Sequence, residues 1–180
     1  MDLSKAELAT ENINPGLEKY LVIMDCLHST DVSEDVAFQK KFNGFYRMRQ
    51  RKPEFYEEYF NYLESNKNLK VSFDEALTHF YNKFDRIEAS FCSKLVATID
   101  SDLPVWDTFV LQNLGLKKPP QYSRDRLNKT INLYSKIKEW YLNFMFTDEG
   151  KYLIDLFDRK YPSVNITNVK KIDLILWQMR

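Results

Sequence analysis

Four glycines and six prolines in 180 residues leave this chain few places to turn sharply. Sheets joined by tight hairpins draw on glycine at positions of positive φ. A chain so poor in turn residues and rich in long side chains is constrained to an all-α architecture. Its length allows one domain with a real core, or two small lobes. Hydrophobic residues make up 44% of the chain, so a core can form, and 11 Tyr and 13 Phe must pack within it.

Apolar residues recur at helical spacing along most of the chain. Leu17, Tyr20, Leu21, Met24 and Leu27 predict a helix over 16–27. Val36, Phe38, Phe42, Phe45 and Tyr46 predict a second over 35–49. Pro53 suits a first helical position and opens a third, over 53–63. Ser72-Phe-Asp-Glu75 matches a capping box, which starts a helix running to about Phe84. Shorter helices are expected over 90–99 and 108–114, with Gly115 as the stop. The longest helix should begin at Ser123 or Arg124, and two more cover 148–158 and 168–180. Residues 1–15 read as loosely ordered. Lys117-Lys-Pro-Pro120 is a breaker, so if the chain forms two lobes the boundary is expected near 117–122.

The 26 basic and 26 acidic residues cancel. There is therefore no global pull toward nucleic acid or membrane, and any such binding must come from local patches. Cys26 and Cys92 sit in apolar-periodic segments and read as reduced core thiols. His28 and His79 have no ligand-type neighbours at metal-binding spacing, so no metal is expected. There is no glycine-rich phosphate loop, nucleophile elbow or HExxH motif, and no cofactor is called for. The mixed, charged N-terminus and the lack of a long apolar span lead us to expect a cytoplasmic protein with no membrane segment.

Few local signals carry chemistry. Arg47, Arg49, Arg51 and Lys52 form a short basic run after an aromatic cluster and are candidates for phosphate contact. The plainer reading is a solvated helix end where cations offset the dipole. Asp107 followed by Thr108-Phe-Val-Leu is an N-cap pattern, and Lys94 by default is a solvated side chain. Trp106, Trp140 and Trp177 read first as core anchors. Trp106 directly precedes Asp107, where it is a candidate to line a cleft. Asp173 and Trp177, one helical turn apart, are candidates for the same cleft. The last helix reads as amphipathic, docking through Ile172, Ile175, Leu176 and Met179.

The stretch Pro104-Val-Trp-Asp-Thr-Phe-Val-Leu-Gln-Asn-Leu-Gly-Leu116 resembles the segment after the hairpin in helix-hairpin-helix DNA glycosylases. That superfamily includes 8-oxoguanine glycosylase and endonuclease III-like enzymes. Ser93-Lys94-Leu-Val-Ala is similar to their Lys-bearing helix start. The closing Lys170-Lys-Ile-Asp173 and Leu176-Trp-Gln178 resemble bacterial proteins of that fold.

The resemblance implies a two-lobed, all-α glycosylase-like fold and a DNA partner carrying a damaged base. It implies Lys94 as an amine nucleophile and Asp107 as the carboxylate that stabilises positive charge on the sugar. It also implies Trp106 beside the everted base. The family's glycine hairpin falls near residues 86–93, where this chain has no glycine. With the zero net charge, that motivates a second expectation: a non-catalytic helical module binding nucleic acid or a protein.

Overall fold

A computed structural model of the chain describes residues 2–179. Among the described residues the secondary structure is helical throughout, with no strand. Ten helices follow in order: α1 (Leu3–Glu11), α2 (Asn14–Leu27), α3 (Val36–Phe45), α4 (Pro53–Asn66), α5 (Phe73–Phe84), α6 (Ala89–Ile99), α7 (Thr108–Asn113), α8 (Arg126–Phe144), α9 (Asp148–Lys160) and α10 (Asn168–Gln178). None is long and apolar enough to cross a membrane. The chain divides into two units, one formed by the residues up to Ile13 with those from Ser72 onward, the other by Asn14–Val71. Lys117 to Pro120 lies inside the first unit.

Short polar side chains start these helices by occupying free backbone N–H groups. Asp35 accepts from Ala37 N at 2.8 Å and Phe38 N at 2.9 Å to start α3. Both halves of the capping box form at α5, where Ser72 and Glu75 cap each other. Thr147 and Thr167 do the same work at α9 and α10. The first turn of α9 also needs Gly150, because a Cβ there would overlap the Phe144 carbonyl.

Two helices of the first unit are buried nearly all round. In α10 every residue from Val169 to Leu176 is buried, and the helix touches α1, α7, α8 and α9. In α6 only Ser90 and Ile99 escape full burial, and α5 packs along it. A helix apolar on every side belongs in an interior, yet α10 carries Lys170, Lys171 and Asp173 there. Each of these is paired, as buried charges must be. Lys170 reaches Asp173 at 3.1 Å, and Lys171 reaches Asp158 at 2.6 Å. The expected amphipathic terminal helix is thus corrected to an interior one.

The N-terminal residues, expected to be loose, form α1 with Asp2 as its cap. The helix is held in the first unit by Tyr152 to Glu7 (2.6 Å), Tyr161 to the Thr10 carbonyl (3.0 Å) and Lys160 to Glu11.

The second unit packs α2, α3 and α4 through aromatic side chains. Phe42 sits among Phe38 (5.9 Å between centroids), Phe60 (5.6 Å), Tyr59 (5.8 Å) and Tyr46 (4.7 Å). Such pairs add about 0.5–1.5 kcal/mol each beyond area burial. The α2–α3 connection is fixed by Glu64, which accepts from Val32 N at 2.8 Å and pairs with Lys67 at 2.8 Å. Helix α3 ends earlier than the periodicity predicts. Arg47 and Gln50 adopt left-handed φ of 52° and 64°, which no helix continues through.

Candidate functional site

The residues singled out at 90–116 belong to the first unit and depend on α6. Its sequence, ASFCSKLVATI, carries one charge, Lys94. Because the helix is interior, that lysine is buried with it, at 8% exposure. The ammonium lies 5.6 Å from the centroid of the Phe91 ring. Burial pushes its pKa down to about 8, against an opposing pull from the Asp107 carboxylate and a smaller push from Lys118. About a tenth of Lys94 is therefore a neutral amine at pH 7, far more than for a solvated lysine. The plain reading of a solvated lysine gives way to a desolvated one.

Asp107 is where the capping pattern puts it. It starts α7 and accepts from Phe109 N at 2.9 Å, and it stays partly open to solvent. The four residues ending at Asp107 are pinned from four directions. Tyr134 of α8 donates to the Pro104 carbonyl at 2.9 Å. Val105 N donates to Asp173 of α10 at 3.3 Å. Trp106 N donates to Ser93 Oγ of α6 at 2.9 Å. Asp107 itself closes onto α7. Lys94 and Asp107 are thus each the next residue after one half of the Ser93–Trp106 hydrogen bond.

Trp106 is 2% exposed. Its ring stacks on Phe73 (6.3 Å, 7°), and Phe73 stacks on Tyr134 (3.8 Å, 19°). This ring column is interior packing. Asp173 is likewise engaged, with Tyr141 OH at 3.1 Å on one oxygen and Lys170 on the other. Burial, and then the Asp173 charge, push the Tyr141 and Tyr134 hydroxyls well up from their ordinary value, so both remain donors at any ordinary pH. Trp177 is half-buried at the end of α10, beside Leu176, whose carbonyl accepts from Asn113 at 3.2 Å. The structure thus ties Trp106 and Asp173 into one interior hydrogen-bonded framework, with Lys94 and Asp107 next to it along the chain.

Two surface grooves of the first unit are lined elsewhere. One includes Lys5, Leu8, Asn12 and Gln178; the other is formed by Tyr152, Asp155, Asp158 and Arg159. Neither includes Lys94 or Asp107. Arg47, Arg49, Arg51 and Lys52 belong to the second unit. Arg47, Arg49 and Lys52 are exposed, whereas the Arg51 guanidinium lies 6.0 Å from the Phe55 ring centroid.

Sequence reasoning missed Ser93, Tyr134, Tyr141 and Lys170 as parts of this framework. Only Lys170 left a signal, three residues before Asp173 on a helix. Among the described residues no group of three or more His, Cys, Asp or Glu side chains is placed to hold a metal ion. Cys26 and Cys92 are both free thiols, and burial raises the Cys92 pKa well above its ordinary value. Comparison with known proteins adds nothing to this geometry: no family model, no curated protein and no solved structure matches the chain.

Proposed function

We propose that the protein is a DNA glycosylase-like enzyme that excises a damaged base with Lys94 as its nucleophile. The observation that carries the reading is the buried Lys94 amine, with its pKa brought down to about 8. An amine attacks carbon only through its free lone pair, and desolvation is the usual way to expose one near neutral pH. In the proposed reaction that lone pair bonds to the sugar carbon as the bond to the base breaks. The base leaves with the electron pair and takes up a proton, and the nitrogen sheds one. Opening of the sugar ring then leaves an imine, which water hydrolyses. The Asp107 carboxylate has the sign needed to stabilise positive charge building on the sugar.

A specific observation favours a second reading, a non-catalytic helical module that binds nucleic acid or a protein. The Trp106 ring, expected beside an everted base, is stacked against Phe73 in the interior. Incubation with duplexes carrying oxidised or alkylated bases separates the two. The enzyme reading expects release of at least one base and its loss in Lys94→Ala. Salt-sensitive DNA binding without release, the same in wild type and Lys94→Ala, supports the module.

A further inference from the structure

The second unit carries a groove that the foregoing reading does not use. Helices α2 and α3 pack against one another and frame an open surface groove of about 470 Å³. Glu18, Lys19 and Val22 line it from α2; Lys40, Lys41, Gly44 and Phe45 line it from α3. It is lined by three ammonium groups against one carboxylate, with apolar surface from Val22 and from Phe45, whose ring also packs against Tyr20 and Tyr46. Val22 is 43% exposed and Phe45 is half-buried. Among the described residues, Lys19, Lys40 and Lys41 make no side-chain hydrogen bond or ion pair, although Lys41 acts through space on Asp35. Glu18 is occupied in part, accepting from Asn14 at 2.7 Å.

Gly44 is the second, independent observation. Glycine inside a helix is the poorest choice after proline. A Cβ at Gly44 meets nothing within 4 Å, and its φ is not in the left-handed region. Neither packing nor backbone conformation requires glycine there. What its missing side chain does is keep the groove open one turn from Lys40.

The charge does not stop at the groove. From Val36 to Pro53 there is no acidic residue, while Lys40, Lys41, Arg47, Arg49, Arg51 and Lys52 supply six cations. The loop leaving α3 is anchored by the buried Met48, with Arg47 and Arg49 exposed on either side of it. A compact anion would satisfy the groove alone. An extended polyanion also matches the exposed cations that follow in sequence, Arg49 and Lys52 among them.

We infer that the α2–α3 groove is a binding site for single-stranded nucleic acid. Lys19, Lys40 and Lys41 take phosphates, and the apolar surface of Val22 and the exposed part of Phe45 take one base. Cationic side chains around aromatic surface are the arrangement by which proteins hold single strands without reading sequence. The inference deepens the nucleic-acid part of the proposed function and is independent of the Lys94 chemistry.

The test is fluorescence anisotropy of the full chain with a labelled, undamaged oligothymidylate, read as binding with no base released. Its failure is therefore distinct from a failure of excision. Binding should weaken at least about tenfold between about 50 and about 200 mM salt. The double variant Lys40→Glu/Lys41→Glu should weaken it at least about tenfold. Gly44→Leu, which fills the groove and keeps every charge, should weaken it comparably, and Gly44→Ala, which fills less of it, should weaken it by a smaller factor. All these positions are exposed, and circular dichroism checks that each variant folds. The inference is overturned if the oligonucleotide does not bind, or if neither the charge reversal nor Gly44→Leu changes its affinity. It is equally overturned if a polyglutamate peptide binds more tightly than the oligonucleotide, which would assign the groove to an acidic protein segment.

Discussion

The backbone N–H of Trp106 donates to the Ser93 hydroxyl at 2.9 Å, across 13 residues of chain. This one bond sets the relation between the next residue on each side, Lys94 in α6 and Asp107 at the start of α7. Ser93→Ala leaves a buried N–H without a partner, which costs about 1–3 kcal/mol. Urea denaturation should show a lower midpoint with an unchanged slope. An unchanged midpoint would mean that α6 and the 104–107 segment are held together by packing alone.

Burial of Lys94 also has a pH signature. Its pKa falls from 10.5 to about 8 on folding, so below pH 8 the folded state holds a charge in a poorly solvated place. The unfolded chain binds that proton more tightly, and stability therefore rises with pH between about 8 and 10.5. The whole effect is about 3 kcal/mol. Lys94→Met should accordingly be more stable than wild type at pH 7, with the advantage fading toward pH 10.5. The difference between the two proteins is the quantity to measure, because Tyr134 and Tyr141, whose hydroxyls burial holds well above their ordinary value, ionise in the unfolded chain at the alkaline end of the same range.

Asp173 answers three donors in the interior: Val105 N, the Tyr141 hydroxyl and the Lys170 ammonium. Lys170 is 1% exposed, so its charge is out of reach of bulk water. Asp173→Ala should destabilise the protein by about 3–5 kcal/mol, the usual effect of breaking a buried pair from one side. Replacing Lys170 and Asp173 together with apolar residues should recover much of that loss in a double-mutant cycle.

Two glycines in helices should respond oppositely to alanine. At Gly150 a methyl group overlaps the Phe144 carbonyl, so the variant should lose about 3 kcal/mol or more in thermal or chemical denaturation. At Gly44 it meets open space, and the gain in helix propensity should raise stability by up to about 1 kcal/mol.

Helix starts were the most legible part of the sequence, because a cap is a local event. Ser72 and Glu75, Asp107, and the Pro53 opening all stand where their patterns place them. Helix α1 was not legible: its buried residues are Ala6, Ala9 and Thr10, too small to write an apolar stripe. Helix α8 begins at Arg126, later than Ser123 or Arg124, because Asp125 takes a left-handed conformation. The burial of Lys94 had a signal that the default for lysine concealed, since α6 has no other charge and no polar face. The environment of Trp106 had none, and that of Asp173 only Lys170, three residues away on the same helix. They depend on Phe73, Tyr134 and Tyr141, which arrive from distant parts of the chain.

The central claim is that Lys94 is a desolvated, reactive amine that loses its proton near pH 8, against the opposing pull of the Asp107 charge. The most direct measurement is borohydride trapping on a duplex with an abasic site, followed by mass-spectrometric mapping of the adduct, across pH. The account predicts an adduct on Lys94 whose yield rises through a midpoint near about 8. Asp107→Asn, which keeps the cap but removes the charge, should move that midpoint to lower pH. An adduct spread over exposed lysines, or no adduct at any pH, would contradict it.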